Sequence, residues 1–351
     1  MNSKERVMRS IKHQEIDRVP CFFLSTGNTN GRLAEKFGMA SSKLGYLEPG
    51  HADLIERLGC DVRFVRPTAV NAPDRKFFSC GSVHAAIHAG TLVYEKMPLE
   101  DASSVDEILN YDKWPSPDFF DYRIPSWMLS SFEGKAVCAY DMFILLLYAM
   151  SMRGMENLMM DMASEPDMAH AVFDKICDYH LERVRRFLTV NKGMIDILGI
   201  GDDVAGQDGM FFSIDMWREY IKPCLRKAVE LCREFNVIPY FHGCGGFSVL
   251  YNDFIEMGIK CTGRLQTEAK GNNFARIKKE YGKNLCLWGA VDCQHILIER
   301  SPEEVREHVR ELLRNNFDGT GFIAGPTHSF TEDVPVENIL AVYETLKKGV
   351  I

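Results

Sequence analysis

The chain has 351 residues, 46% of them apolar and 26% charged, the balance of a globular protein able to bury a sizeable core. Its 41 Lys and Arg against 49 Asp and Glu give a net charge of −8, which argues against sequence-independent nucleic-acid binding. No apolar run approaches the roughly 18 residues of a membrane span. The N-terminal Met1-Asn-Ser-Lys-Glu-Arg6 lacks a signal-peptide pattern, so a cytoplasmic protein is expected. The 11 cysteines are odd in number, scattered and often set in apolar runs, which reads as small buried hydrophobes in a reducing compartment.

Residues 3–14 read as a short amphipathic helix with Val7, Met8 and Ile11 on its apolar side. Val19–Phe23 is the first predicted strand, followed by a polar loop, Ser25–Gly31. A helix near His51–Leu58 leads into the second strand, Asp61–Val65. The next 70 or so residues are irregular and Pro-rich, with a hairpin near Ser79–Glu95; an excursion of this length covers a site or forms a lid. The third strand is Ala136–Tyr140, followed by helices at roughly 150–164 and 167–190. Gly193–Gly199 is the fourth strand, and a helix from Ser213 to Phe235 carries Pro223, which should kink it.

The fifth strand, Val237–Phe241, breaks into the Gly-rich turn His242-Gly-Cys-Gly-Gly246. Ile259–Gly263, Leu285–Trp288 and Gly321–Ala324 supply the last three. Between the seventh and eighth, Ser301-Pro-Glu-Glu304 sets out a capping box before the stripe Val305, Val309, Leu312 and Leu313. Val336–Lys347 closes the chain as a second striped helix. Eight alternating strand and helix units predict an α/β fold, a distorted (β/α)8 TIM barrel in one domain, residues 1–351. Residues 1–18 form a helical extension, and residues 67–135 an insertion between the second and third strands. A doubly wound sheet is the alternative.

A barrel gathers its functional groups at the C-terminal ends of its strands. The residues following the eight strands are Ser25 and Thr26; Arg66; Asp141; Asp202 and Asp203; His242 and Cys244; Gln266 and Glu268; Asp292 and Cys293; Thr327 and His328. His242 and Cys244 stand two apart, so an extended chain turns both to one side, and imidazole with thiolate suits zinc. With His328 across the barrel they make three ligands, as catalytic zinc needs. Glu268 is a further ligand or a surface carboxylate. Asp202-Asp203 either caps a turn or acts in catalysis, and Asp292 either fixes its loop or binds substrate.

Several stretches together resemble the uroporphyrinogen-decarboxylase-like superfamily. They are Arg6–Ile11 with Asp17-Arg-Val-Pro20, Asp202-Asp203 with Gln207, Phe241–Gly245, Tyr281-Gly282 with Leu287–Asp292, and Asp333–Asn338. The resemblance covers essentially the whole chain and implies a distorted (β/α)8 barrel. The porphyrinogen decarboxylases carry arginines after the first strand; this chain reads Phe23–Asn30 there, with no arginine before Arg32. The better likeness is to the cobalamin-dependent methyltransferases of the superfamily, including methylcobamide:coenzyme M and methyl-ether demethylating enzymes. There the resemblance implies zinc at His242 and Cys244, with His328 standing where the coenzyme M members have a cysteine.

That likeness implies transfer of a methyl group from a small methylated oxygen (or nitrogen) donor to the corrinoid of a separate partner protein, because the chain lacks an Asp-x-His-x-x-Gly corrinoid signature. Asp203 and Glu268 are the expected catalytic acids, and Tyr140, Asp141, Asp202 and Asp292 the expected substrate-binding residues. A homodimer is left open. The rival readings are a thiol-directed (coenzyme M-type) methyltransferase, a metal-free decarboxylase of the same fold, and a non-catalytic corrinoid-binding protein.

Overall fold

Seven short, apolar runs pair in chain order, every pair parallel: β1 (Val62–Val65), β2 (Ala136–Ile144), β3 (Ile197–Gly201), β4 (Ile238–His242), β5 (Cys261–Leu265), β6 (Cys286–Val291) and β7 (Phe322–Pro326). The computed structural model describes residues 1–39, 50–70, 97–316 and 318–349. Residues 20–25 run between the two edge strands. Cys21 bridges Ala324 of β7, and Asp61 at the start of β1 donates its N–H to Cys21 O at 2.8 Å. Helices cover the outer face, and the result is a TIM-barrel-like α/β fold.

Alternation along the strands sorts the core into two clusters. Phe22, Leu24, Val62, Cys138, Ile197, Tyr240, Cys261, Cys286, Trp288 and Ile323 fill the inside of the sheet, two residues apart wherever a strand gives two. Tyr240 stacks on Trp288 with centroids 4.6 Å apart, and three cysteines supply the small volumes these rings require. The larger cluster lies between the outer face and the helices.

The N-terminal segment is held by charge. Asp61 is fully buried, and its carboxylate accepts from Arg6 Nη1 at 2.7 Å, from both Arg18 Nη atoms at 2.9 and 3.0 Å, and from Cys21 N at 2.9 Å. Arg6 also forks onto Asp17, and that hydrogen bond holds the Asp17 carboxyl down to about 2. The Arg6 and Asp17-Arg18 positions of the sequence are therefore the clamp that docks residues 20–25 against β1.

Local departures from the sequence expectation have physical causes. Val19–Phe23 forms one isolated bridge, at Cys21, instead of a regular strand. The expected loop at Ser25–Gly31 is largely a helix, Gly27–Lys36, because the Thr26 side chain accepts from Thr29 N and caps it. The helix expected from 150 begins at Leu146 and breaks at Gly154, which sits at φ 84°. Helical backbone runs from Ile214 to Phe235 as expected, and the disturbance at Pro223 takes the form of a π turn at Trp217–Ile221 just before the α-helix Lys222–Phe235. The Ser301 capping box forms as expected.

Between β1 and β2, Thr68–Ala69 pairs antiparallel with Phe120–Asp121, and no described residue of 97–135 joins the main sheet. The hairpin expected near Ser79–Glu95 lies outside the described residues. Among the described residues no helix is long and apolar enough to cross a membrane.

Removing Asp61 would strand two arginines on an apolar wall. Asp61→Ala should lower unfolding stability by about 3–5 kcal/mol in urea titration. Asp17→Ala, at a half-exposed site, should cost much less. Equal effects would contradict the clamp.

Candidate metal and proton-transfer site

The ends of β3, β4 and β5 are tied together by backbone. Asp202 N donates to His242 O at 2.9 Å, Gly243 N to Gly263 O at 3.1 Å, and Gly246 N to Gly206 O at 2.9 Å. The approach is close enough to exclude side chains. A Cβ on Gly243 would lie 2.6 Å from the Asp202 carbonyl oxygen. One on Gly245, at φ +82°, would lie 2.4 Å from that of Gly206. Gln266 binds the turn from β5: its Oε1 accepts from Gly245 N at 2.9 Å and Gln207 Nε2 at 2.8 Å.

This packing brings Asp203, His242 and Cys244 together, with one ligand atom from each lying within 4.8 Å of the others. Asp203 Oδ1 accepts from Cys244 N at 2.8 Å, which fixes the carboxylate beside the thiol. A nitrogen, a sulfur and an oxygen donor at that spacing fit a zinc ion with an open position. His328 does not join this group; its carbonyl oxygen lies 3.5 Å from Cys293 Sγ.

Asp202 and Asp203 are adjacent in sequence but have different surroundings. Asp202 is buried and turns to the N-terminus of the helix Leu146–Arg153, where it accepts from Leu146 N and, at 3.1 Å, from Leu147 N. Burial pushes its carboxyl up to about 7 against the pull of those two N–H groups. It also lines a narrow cleft with Tyr140, Phe143, Ile144, Leu147, Asp203 and His242. The side chain of Asp141 lies outside what is described.

A second carboxyl pair stands after β5 and β6. Glu268 Oε1 accepts from Thr327 Oγ1 at 3.0 Å, while Oε2 is buried and receives no donor from a described residue. Asp292 Oδ1 accepts from Gln294 N at 2.7 Å and His295 N at 2.9 Å. Burial, and then the contact with Asp292, push Glu268 up to about 7. Desolvation opposes the Asp292 anion, but the hydrogen bond from Glu268 and the two N–H groups outweigh it and hold Asp292 low. The pair shares one proton, held on Glu268.

Arg264 is a site residue that sequence alternation hides. Cys261 faces the inside of the sheet, so strict alternation points Arg264 outward. The β5–β6 register shifts between Leu287 and Gly289, where three steps along β5 match two along β6. This irregularity turns Arg264 inward. Its Nη2 donates to Tyr140 Oη at 2.7 Å and lies 2.9 Å from His242 Nε2. Its Nε donates to His242 Nδ1 at 3.4 Å.

The fold and these donors define a barrel-like protein with a metal-capable mouth. Residues 141–349, more than half of the chain, match the family model described as Uroporphyrinogen decarboxylase (URO-D), and the chain belongs to that family. It is 24% identical over 200 residues to a methylated-thiol--coenzyme M methyltransferase of Methanosarcina mazei, covering 56% of this chain. It spans about half the length of that curated relative, 48%. A solved methyltransferase from Methanosarcina mazei shares the fold at a TM-score of 0.65, with 17% identity and 99% of each chain covered.

Glu268 has a raised pKa in the folded chain. The stability it contributes is therefore complete below its ordinary 4.5 and is lost as pH rises through about 7. In metal-free protein, urea midpoints should fall from pH 5 to pH 8, and Glu268→Gln should make that fall shallower. An unchanged slope would contradict the shared proton.

Proposed function

We propose that this chain is a zinc-dependent methyltransferase that moves a methyl group from a small methyl ether to the corrinoid of a separate protein. The observation that carries this reading is the convergence of Asp203, His242 and Cys244 at adjoining strand ends. The family and the methyltransferase names of the two relatives support it. A zinc ion held by these three residues would supply Lewis acidity at the leaving heteroatom. Glu268, protonated near neutral pH, serves as the acid that delivers a proton to the departing oxygen, and Asp292 holds that proton in place. The Asp203 carboxylate, fixed by Cys244 N, serves as ligand. Tyr140 and Asp202 belong to the substrate cleft, with Asp141 at the same strand end.

The corrinoid partner would dock over the mouth, where Phe211 and Val249 expose apolar side chains on the loops after β3 and β4. The chain is read as one barrel domain with 1–18 as an extension and 67–135 as an insertion. A cytoplasmic setting is the reading that the odd number and scatter of the cysteines support. The second reading, transfer to or from a thiol, is favoured by the name of the curated relative.

Metal analysis of purified protein tests the site. About one zinc per chain is expected, lost in His242→Ala and Cys244→Ala and weakened at least tenfold in affinity in Asp203→Asn, with His328→Ala retaining it. Loss in His328→Ala with retention in Asp203→Asn would give the third position to His328. A folded wild type that binds no zinc on loading would overturn the metal mechanism.

A further inference from the structure

We propose that Asn272 is a positioning residue for the metal-capable site: with Gln266 it clamps Gly245 and so aims the Cys244 thiol; this rests on the proposed zinc site. The Gly245 N–H donates to Gln266 Oε1 at 2.9 Å, and the Gly245 carbonyl oxygen accepts from Asn272 Nδ2 at 3.0 Å. Both side chains are buried, Gln266 at 4% exposed and Asn272 at 2%. Cys244 N donates to Asp203 and Gly246 N to Gly206 O. Every N–H from Cys244 to Gly246 is thus bonded, and Asn272 adds a donor for the one carbonyl between them that Gly245 supplies.

Asn272 is itself held by the barrel frame. The next residue, Asn273, caps the helix Phe274–Tyr281 by accepting from Arg276 N at 2.9 Å. Phe274 packs on Phe322 of β7 with centroids 4.8 Å apart. Asn272 N donates to Ala269 O at 3.0 Å, which closes the turn before the helix. Asn272 Oδ1 is buried and receives no donor from a described residue. A buried oxygen without a donor costs stability, and the Gly245 contact accounts for its being kept.

The clamp also joins two parts of the site. Lys270 N donates to Gln207 O at 2.8 Å, and a Cβ on Gly246 would lie 2.7 Å from the Lys270 carbonyl oxygen. Residues 266–272 therefore pack on the loops after β3 and β4, with Glu268 in the middle of the segment. One short stretch fixes the thiol and carries the carboxyl, so both sit in a common frame. A ligand oriented before the ion arrives loses less on binding, and loss of the clamp is read in metal affinity.

The test measures zinc affinity of metal-free protein by competition with a chromophoric chelator. Beside it, the rate at which a thiol reagent labels Cys244 is followed by peptide mass. Cys244 is half-buried where the other described cysteines are buried, so its labelling reports this turn. Asn272→Ala should weaken zinc about tenfold or more and speed Cys244 labelling roughly two- to tenfold, the worth of one hydrogen bond. Asn272→Asp keeps the shape but sets an acceptor against the Gly245 carbonyl. It should weaken zinc too, although it adds negative charge near a cation, and it carries the test if the alanine variant does not fold. A merely structural residue would lower the urea midpoint and leave affinity and labelling of the folded protein unchanged. That result, or unchanged or tighter zinc in Asn272→Asp, would overturn the clamp. If wild type binds no zinc, the proposed metal site fails and labelling decides alone: faster labelling in the variants supports the clamp, and an unchanged rate rejects it.

Discussion

The mouth of this barrel depends on two loops lying closer together than side chains allow. The turn after β4 rests its backbone on the segment after β3, and Gly243 and Gly245 make that contact sterically accessible. Gln266 then locks the turn from the third side. Because the linkage is backbone to backbone, it sets the relative positions of Asp203, His242 and Cys244 without relying on their side chains. A site assembled this way is held before any ion or substrate arrives.

Electrostatics then assign different work to similar groups. Asp202 spends its carboxylate on a helix N-terminus, so its neighbour Asp203 is the one left facing the histidine and cysteine. Glu268 and Asp292 cannot both ionise comfortably in contact. The N–H groups of Gln294 and His295 decide the matter by stabilising Asp292, which places the proton on Glu268. Arg264 adds a buried positive charge to the same mouth. The distribution combines a carboxyl that favours its proton, a carboxylate beside it and a cation.

Much of the architecture was legible in the chain because it rests on short-range pattern. The seven paired strands overlap the predicted ones, and Ser301 caps its helix as its sequence signature requires. The approach of His242 and Cys244 was readable from their spacing alone. What was not readable depends on contacts distant in sequence. Thr26 starts a helix where polar residues suggested a loop, and the segment after Pro20 is docked by a carboxylate forty residues away in Asp61. Arg264 was hidden because a register shift reverses the alternation by which a strand is read. Asp203 meeting the histidine and cysteine, with His328 outside that group, is set by loop backbone that no periodicity encodes.

X-ray absorption spectroscopy at the zinc edge of the loaded protein tests the central claim most directly. The account predicts one sulfur neighbour at about 2.3 Å and the remaining shell of nitrogen and oxygen at about 2.0–2.2 Å, with the sulfur absent in Cys244→Ser. A shell of nitrogen and oxygen alone, or one with two sulfurs, would contradict a centre built from Asp203, His242 and Cys244.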